Sequence, residues 1–462
     1  MSLRALTLAL AIALGLAGAS AAAPDASEPN PWRGKINGYD AYLPDLAKPA
    51  RAAFINISPV WLPDGEPNWR AAAAEFNSIQ LDLPLTYSDP EGNAKKILDT
   101  LRAAARRLPN HPEIENLNVV LFGFSVGAAA AGGTASSPLL SNADSRLPPQ
   151  RVLAVIGLDE LDQPPYQAPA WVPQLFLSDP DDGFGGLLTD VEDANPKITH
   201  DAFARNLAAK AGAPLTLISQ PGHWHGGSVH GYQHRIDFRF LRVWLEEVLK
   251  LRLPATPPLA GPALAPDWRN HAGWLGTYDV AVRTSTQPWG DGERMVNVAI
   301  SPRDGYHDPR PFIWLPSERA AKVWRAYAAT GNMPPLTPDE PMTPLGAFIR
   351  PGSDPTAKVN DAMAAVSSDP GAAAALPSVN CGFGGVGADA SVLVAFDRAI
   401  KAGEAASEGV AAVDAPPEFW SNVMIIRLKS LASAGRLKLT LSKLTPADGG
   451  QPVDAVVTAS CR

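Results

Sequence analysis

The sequence predicts an α/β fold, a mainly parallel sheet covered by helices, followed by an intermediate α+β segment and a C-terminal β-sandwich. Three observations predict it. Over the first half of the chain, short and continuously apolar β-rich runs alternate with stretches of helical composition, as buried parallel strands and their crossover helices require. The stretch LPATPPLAGPALAP (253–266) then interrupts the pattern, because proline fixes the backbone and supplies no amide donor. Beyond residue 342, apolar and polar residues alternate between turn signals, the signature of strands with one face in a core.

The chain opens with a short positive region, Met1 to Arg4, an apolar run from Ala5 to Gly18, and the small residues Ala19-Ser20-Ala21. Residues 1–23 read as a cleaved secretory signal. The apolar run is shorter than the roughly 20 residues a spanning helix needs. The expectation is a secreted or periplasmic protein with no stable membrane insertion after cleavage.

Residues 24–253 carry the α/β pattern. Strands are expected at AAFINIS (52–58), SIQLDLP (78–84), NVVLFGF (118–124), VLAVIGL (152–158), QLFLS (174–178) and PLTLIS (214–219). Helices are expected at 93–108, in the alanine run after Ser125, at 200–211 and at 234–251. A proline-rich linker occupies 254–268. The intermediate segment, 269–341, offers strands at TYDVAVRT, RMVNVAI and PFIWLP and a capped helix in SERAAKVWRAYAATG, ending at Gly331. Its tryptophans 274, 289, 314 and 324 suit a binding platform or, as is more frequent for tryptophan, burial.

Residues 342–462 form the β-sandwich module, with strands in SVLVAFDRAI, NVMIIRLKSL, GRLKLTLSKL and PVDAVVTASC. The chain has two cysteines, Cys381 and Cys461, and in an exported protein such a pair is expected to form a disulfide. Closing a loop of about 80 residues is worth roughly 4–5 kcal/mol in the chain-entropy model.

Composition narrows the function classes. Hydrophobic residues make up 46% and charged residues 19% of 462, as in ordinary globular chains. A formal charge of -8 leaves no broad basic surface to neutralise phosphates, which argues against a nucleic-acid partner.

The chemistry is concentrated in Gly-Phe-Ser-Val-Gly, 123–127, which follows an apolar strand and leads into alanines. A strand-to-helix turn this tight exposes the serine hydroxyl beside a helix N-terminus, and flanking glycines let the two backbones approach. At this motif the chain resembles the α/β-hydrolase family, its esterases and lipases in particular, over roughly Pro31 to Leu251. The resemblance implies Ser125 as nucleophile, with an acid and then a histidine after later strands.

Both loops are present in that order. QLFLSDPDD ends in Asp179, Asp181 and Asp182, with family spacing favouring Asp182 as the carboxylate that orients the histidine. PLTLISQPGHWHGG holds His223 and His225. His225 is favoured as the base by the Pro-Gly-x-x-His spacing, and His223 by counting from the strand. The oxyanion hole is expected from the backbone amides of Val126 and, in the loop ISPVWLPDG, of Trp61. Trp61 equally suits a core or rim position.

The His-x-His pair together with His230 and His234 matches no metal motif, so neither metal nor cofactor is expected. The segment where many family members insert a lid, DELDQPPYQAPAWVP (159–173), is short. An open cleft that admits bulky or polymeric esters is therefore expected. The reading is a secreted serine hydrolase of carboxylic esters; a peptidase or acyltransferase would share the triad. From a different class, a non-catalytic surface or carbohydrate-binding protein would use the hydrolase-like scaffold and make its contacts through the C-terminal module.

Overall fold

The computed structural model describes residues 30–57, 67–86, 88–124, 126–144, 147–158, 168–178, 213–219, 232–254, 256, 261, 273–283, 292–303, 312–331, 333–337, 340–352, 362–367, 378–379, 388–409, 411–420, 422–431 and 435–461. Its first sheet has eight strands: β1 (Trp32–Ile36), β2 (Tyr39–Leu43), β3 (Ala53–Asn56), β4 (Ile79–Asp82), β5 (Val119–Phe124), β6 (Val152–Leu158), β7 (Gln174–Ser178) and β8 (Leu215–Ser219). Their spatial order is β1-β2-β4-β3-β5-β6-β7-β8. Every pairing from β4 to β8 is parallel, whereas β1–β2 and β2–β4 are antiparallel.

Strands β3, β5, β6 and β8 are buried at every position. Burial on both faces is why they read as unbroken apolar runs. The β1–β2 hairpin has no such run. Its signal is Asn37-Gly38, both residues left-handed at φ 50° and 85°, the two-residue turn whose twist matches a hairpin.

Helices α1 (Pro67–Glu75), α2 (Pro90–Arg107), α3 (Val126–Ala135) and α4 (Tyr232–Arg252) cover the sheet. Trp69 of α1 packs on Phe54 and Phe122, ring centroids 4.9 and 5.3 Å apart. Phe238 of α4 meets Phe122 from the same side at 5.8 Å. Helices α2 and α3 pack together on the opposite face, which Gly123 presents to α3. Among the described residues, no helix is long and apolar enough to cross a membrane.

The intermediate segment does not start a core of its own. β9 (Trp274–Arg283), β10 (Gly292–Pro302) and β11 (Phe312–Leu315) form an antiparallel sheet in the order β10-β9-β11. Helix α5 (Glu318–Thr330) follows, capped by Ser317 and ended by left-handed Gly331. Ile313, Trp314, Trp324 and Tyr327 belong to the same hydrophobic core as the eight-stranded sheet. Trp314 and Trp324 are buried, so these two tryptophans serve packing; Trp274 is half-buried and Trp289 lies outside the described residues.

This packing also covers a sheet edge. β8 is the last strand of its sheet, and a buried strand edge must find partners for its backbone groups. The Trp324 indole donates to the Leu217 carbonyl at 2.9 Å. The Thr216 hydroxyl accepts the Trp244 indole at 2.9 Å and donates to the Trp314 carbonyl.

The C-terminal part comprises β12 (Pro344–Pro351), β13 (Ala362–Ser367), β14 (Ser378–Val379), β15 (Ala388–Phe396), β16 (Ile400–Gly409), β17 (Ala412–Val413), β18 (Glu418–Trp420), β19 (Val423–Leu431), β20 (Gly435–Pro446) and β21 (Val453–Cys461). One antiparallel path, β16-β20-β21-β13-β12-β15-β19-β17, runs through it. β13 pairs with both β12 and β21, so what reads in sequence as two sheets is joined. β16 returns against β17, β18 and β19, enclosing a second core that includes Ile349, Phe396, Ile426 and Leu439.

Strands β15 and β19 serve both cores. Leu393, Ala395, Val423 and Ile425 face the first, and Val392, Val394, Met424 and Ile426 the second, as a period of two allows. At this junction Arg239 of α4 is buried. It donates to Asp397 Oδ2 at 2.7 Å and to Glu340 Oε2 at 2.7 Å, while the Thr343 amide holds Asp397 Oδ1 at 2.9 Å.

A second buried pair ties the loops at the amino end of the sheet. His111 Nδ1 lies 2.9 Å from Glu113 Oε1 and Nε2 lies 3.0 Å from the Leu46 carbonyl, so both nitrogens face acceptors. Burial alone disfavours the imidazolium. The hydrogen bond and charge of Glu113, with the Leu46 carbonyl, outweigh it and raise the His111 pKa above its ordinary value.

Two outcomes follow. Arg239→Met leaves two carboxylates without their shared cation, and should cost about 3–5 kcal/mol, read by chemical denaturation. Stability linked to His111 is fully present below the ordinary histidine pKa and is lost as pH rises through the raised one. The stability difference between the native protein and His111→Gln should therefore shrink between mildly acidic and alkaline pH in paired thermal melts.

Candidate active site

β5 ends at Phe124 and α3 begins at Val126. A single residue, Ser125, joins strand to helix. The approach is close: a Cβ on Gly123 would stand 1.9 Å from the Gly127 carbonyl oxygen and 2.6 Å from the Ala128 nitrogen. Gly123 is not left-handed, so the demand is for space rather than conformation.

Every residue of α3 from Gly127 to Ala135 is buried, and the alanines let the helix lie close on the sheet. Val126, by contrast, is 56% exposed. It is the first helical residue, in the turn whose amides lack intrahelical partners and carry the positive end of the helix dipole. An oxyanion forming there would be favoured.

Register places the strand ends level. Phe124 pairs with Leu158, Leu158 with Leu177, and Ser178 with Ser219. β3 reaches the same edge, with Asn56 opposite Phe122 and the Ile57 amide donating to the Phe122 carbonyl at 2.8 Å. The chain thus leaves β3, β5, β7 and β8 from one edge, and β5 to β8 spans about 14 Å at three strand spacings. After these exits the sequence carries, in turn, Trp61, Ser125, Asp179 to Asp182, and His223 with His225.

Those residues, with His230 and Cys381, lie outside the described residues. Val126 lies within them, and His234 falls in α4. Cys461 ends β21, paired with Gly435 and, in parallel, with Val379.

The carboxyl edge also holds polar residues not singled out from sequence. The Asn56 amide donates to Asp82 Oδ1 at 3.1 Å, and Gln80 lies two residues before Asp82 on the same face. The available signal was the alternation in SIQLDLP: polar side chains at 80 and 82 are unusual where a parallel sheet buries both faces.

No protein-family model matches the chain, and neither does any curated protein sequence at significant similarity. Solved structures do match. An arylesterase shares 13% identity, covering 54% of this chain and 93% of its own, at a TM-score of 0.31. Est1E from Butyrivibrio proteoclasticus shares 13%, covering 48% and 98%, at 0.28. A dienelactone hydrolase from Anabaena variabilis shares 16%, covering 50% and 99%, also at 0.28. These neighbours are esterases and hydrolases. Likeness this distant bears on neither chemistry nor substrate. The mixed eight-stranded sheet with its helices, and the antiparallel strands after it, are compatible with an α/β-hydrolase fold carrying a β-rich module.

Gly123→Ala should displace α3 from β5 and destabilise the protein by at least about 1–3 kcal/mol, as overpacking does. Urea unfolding would show it as a lower midpoint.

Proposed function

We propose that the chain is an exported serine hydrolase acting on carboxylic esters. Ser125 attacks the acyl carbon while His225 takes its proton, with His223 as the alternative base. Asp182 holds the histidine tautomer and stabilises the imidazolium. The amides of Val126 and Trp61 receive the oxyanion. The protonated histidine then gives its proton to the leaving alcohol, and water, activated by the same base, releases the acid from the acyl-enzyme.

One observation carries this reading: β5, β7 and β8 end level on one sheet edge. A serine, an acidic loop and a histidine loop follow them in the order this chemistry requires. The single-residue passage from β5 to α3 supports Ser125 further, since a nucleophile there borders unpaired helix amides.

A Cys381–Cys461 disulfide belongs to the same proposal. Val379 pairs with Cys461, and Cys381 follows Val379 by two residues. The chain therefore leaves β14 two residues before Cys381, from a strand paired with the end of β21, and a disulfide needs the two Cα atoms within about 4.4–6.8 Å. Its two electrons and two protons would pass to a thiol–disulfide oxidant in an oxidising compartment.

Purified protein should be labelled by a fluorophosphonate at Ser125 and should hydrolyse short p-nitrophenyl esters. Absence of both would refute the hydrolase reading. His225→Ala should lower kcat/KM at least about a thousandfold, with His223→Ala within about tenfold of the native protein; the reverse would assign the base to His223. Non-reducing peptide mapping should recover Cys381 and Cys461 in one linked fragment.

A further inference from the structure

Strands β1, β2 and β4 carry a groove lined by polar residues. Arg33 on β1, Tyr42 on β2 and Gln80 on β4 stand in one cross-strand row. Lys35 and Asp40 pair in the next row, and Asp82 ends β4 alongside them. With Gly34 and Ala41 these residues line a cavity of about 410 Å³, within the range of roughly 300–1,000 Å³ usual for small-molecule sites.

Gln80 is the unusual member. It is 4% exposed, yet neither its amide nitrogen nor its amide oxygen has a hydrogen-bond partner. A buried carboxamide without partners is costly, and structures tend to avoid it. In register it sits between Phe54 and Tyr42, positions where an apolar residue would pack without that cost. An unsatisfied donor and acceptor lining a cavity suit a ligand that supplies both.

The lining selects the ligand's chemistry. The lining itself carries two cations, Arg33 and Lys35, and two carboxylates, Asp40 and Asp82, and so no net charge; Arg70 stands nearby, 5.9 Å from the Tyr42 ring centroid. Lys35 and Asp40 already bond each other at 2.9 Å. Arg33 lies over the Tyr42 ring at 4.8 Å from its centroid. Hydroxyl groups both donate and accept, and a ring bearing several of them can meet a carboxamide, a carboxylate and a guanidinium at once. The three-strand platform is about 10 Å across at two strand spacings, enough for a sugar ring lying flat.

We propose that this groove binds a neutral saccharide of one or two rings, with Gln80 as its buried anchor and Asp82 and Arg33 beside it. The site is independent of the ester-hydrolase reading and needs no turnover to detect. Saturation-transfer NMR and calorimetry on the full chain would use glucose, cellobiose, xylobiose and N,N′-diacetylchitobiose as probes. At least one should bind with a dissociation constant in the millimolar range or tighter. Gln80→Leu should weaken it at least tenfold while raising the thermal midpoint of the free protein, because the unpartnered amide is removed. Arg33→Ala, an exposed change that leaves the core intact, should weaken binding severalfold. No binding of any probe at about 20 mM would mean that solvent alone serves the amide, and would overturn the proposal. Binding indifferent to both variants would place the sugar elsewhere and overturn it equally.

Discussion

The carboxyl edge of the main sheet depends on one close approach. The Gly127 carbonyl occupies the space where a side chain on Gly123 would begin. That contact lets α3 start with a single residue between it and the end of β5. Were the helix further off, a longer connection between β5 and α3 would be needed. The small residues along α3 extend the same approach over its length, so the alanine run and the glycine pair serve a single geometric requirement.

The far side of the sheet depends on different chemistry. β8 would present an open edge were it not met by Trp244, Trp314 and Trp324. The segment after the proline-rich linker completes the core of the first sheet, and the C-terminal strands extend it. β15 and β19 give one face to each hydrophobic cluster. Arg239, from the helix that follows the histidine loop in sequence, reaches Asp397 and Glu340 at this junction. Buried charges of this kind are worth little as a net contribution but cost much when one partner is lost. They therefore hold the β-rich module in one registry against α4.

Polar residues within buried strands mark where the sheet does more than pack. Thr216 links two tryptophans across an edge. Asn56 and Asp82 bond each other at the carboxyl ends of β3 and β4. The Gln80 carboxamide has no partner, and it lines a cavity together with Arg33 and Tyr42. Gln174 on β7 is likewise buried with an unpartnered carboxamide, so what sets Gln80 apart is the cavity it lines.

By itself the sequence determined the six parallel strands: β3, β5, β6 and β8 are buried at every position and so read as largely apolar runs, while β4 and β7 keep apolar residues among polar ones. It also determined the strand-turn-helix at Ser125, since few residue types tolerate so tight a passage, and the order of serine, acid and histidine loops. The β1–β2 hairpin was not among the expected strands, for its residues alternate and carry charge; its one local signal is Asn37-Gly38. Tertiary structure alone decided the rest. Strand order and register are long-range pairings that local pattern does not encode, and they bring β3, β5, β7 and β8 out at one edge, with β5, β7 and β8 ending level. The same pairings set Arg33, Tyr42 and Gln80 in one row from three separate stretches of chain. The sharing of one core by the intermediate segment and by β15 and β19 likewise appears only when distant apolar faces meet, because burial is a property of the assembled surfaces and not of any one strand.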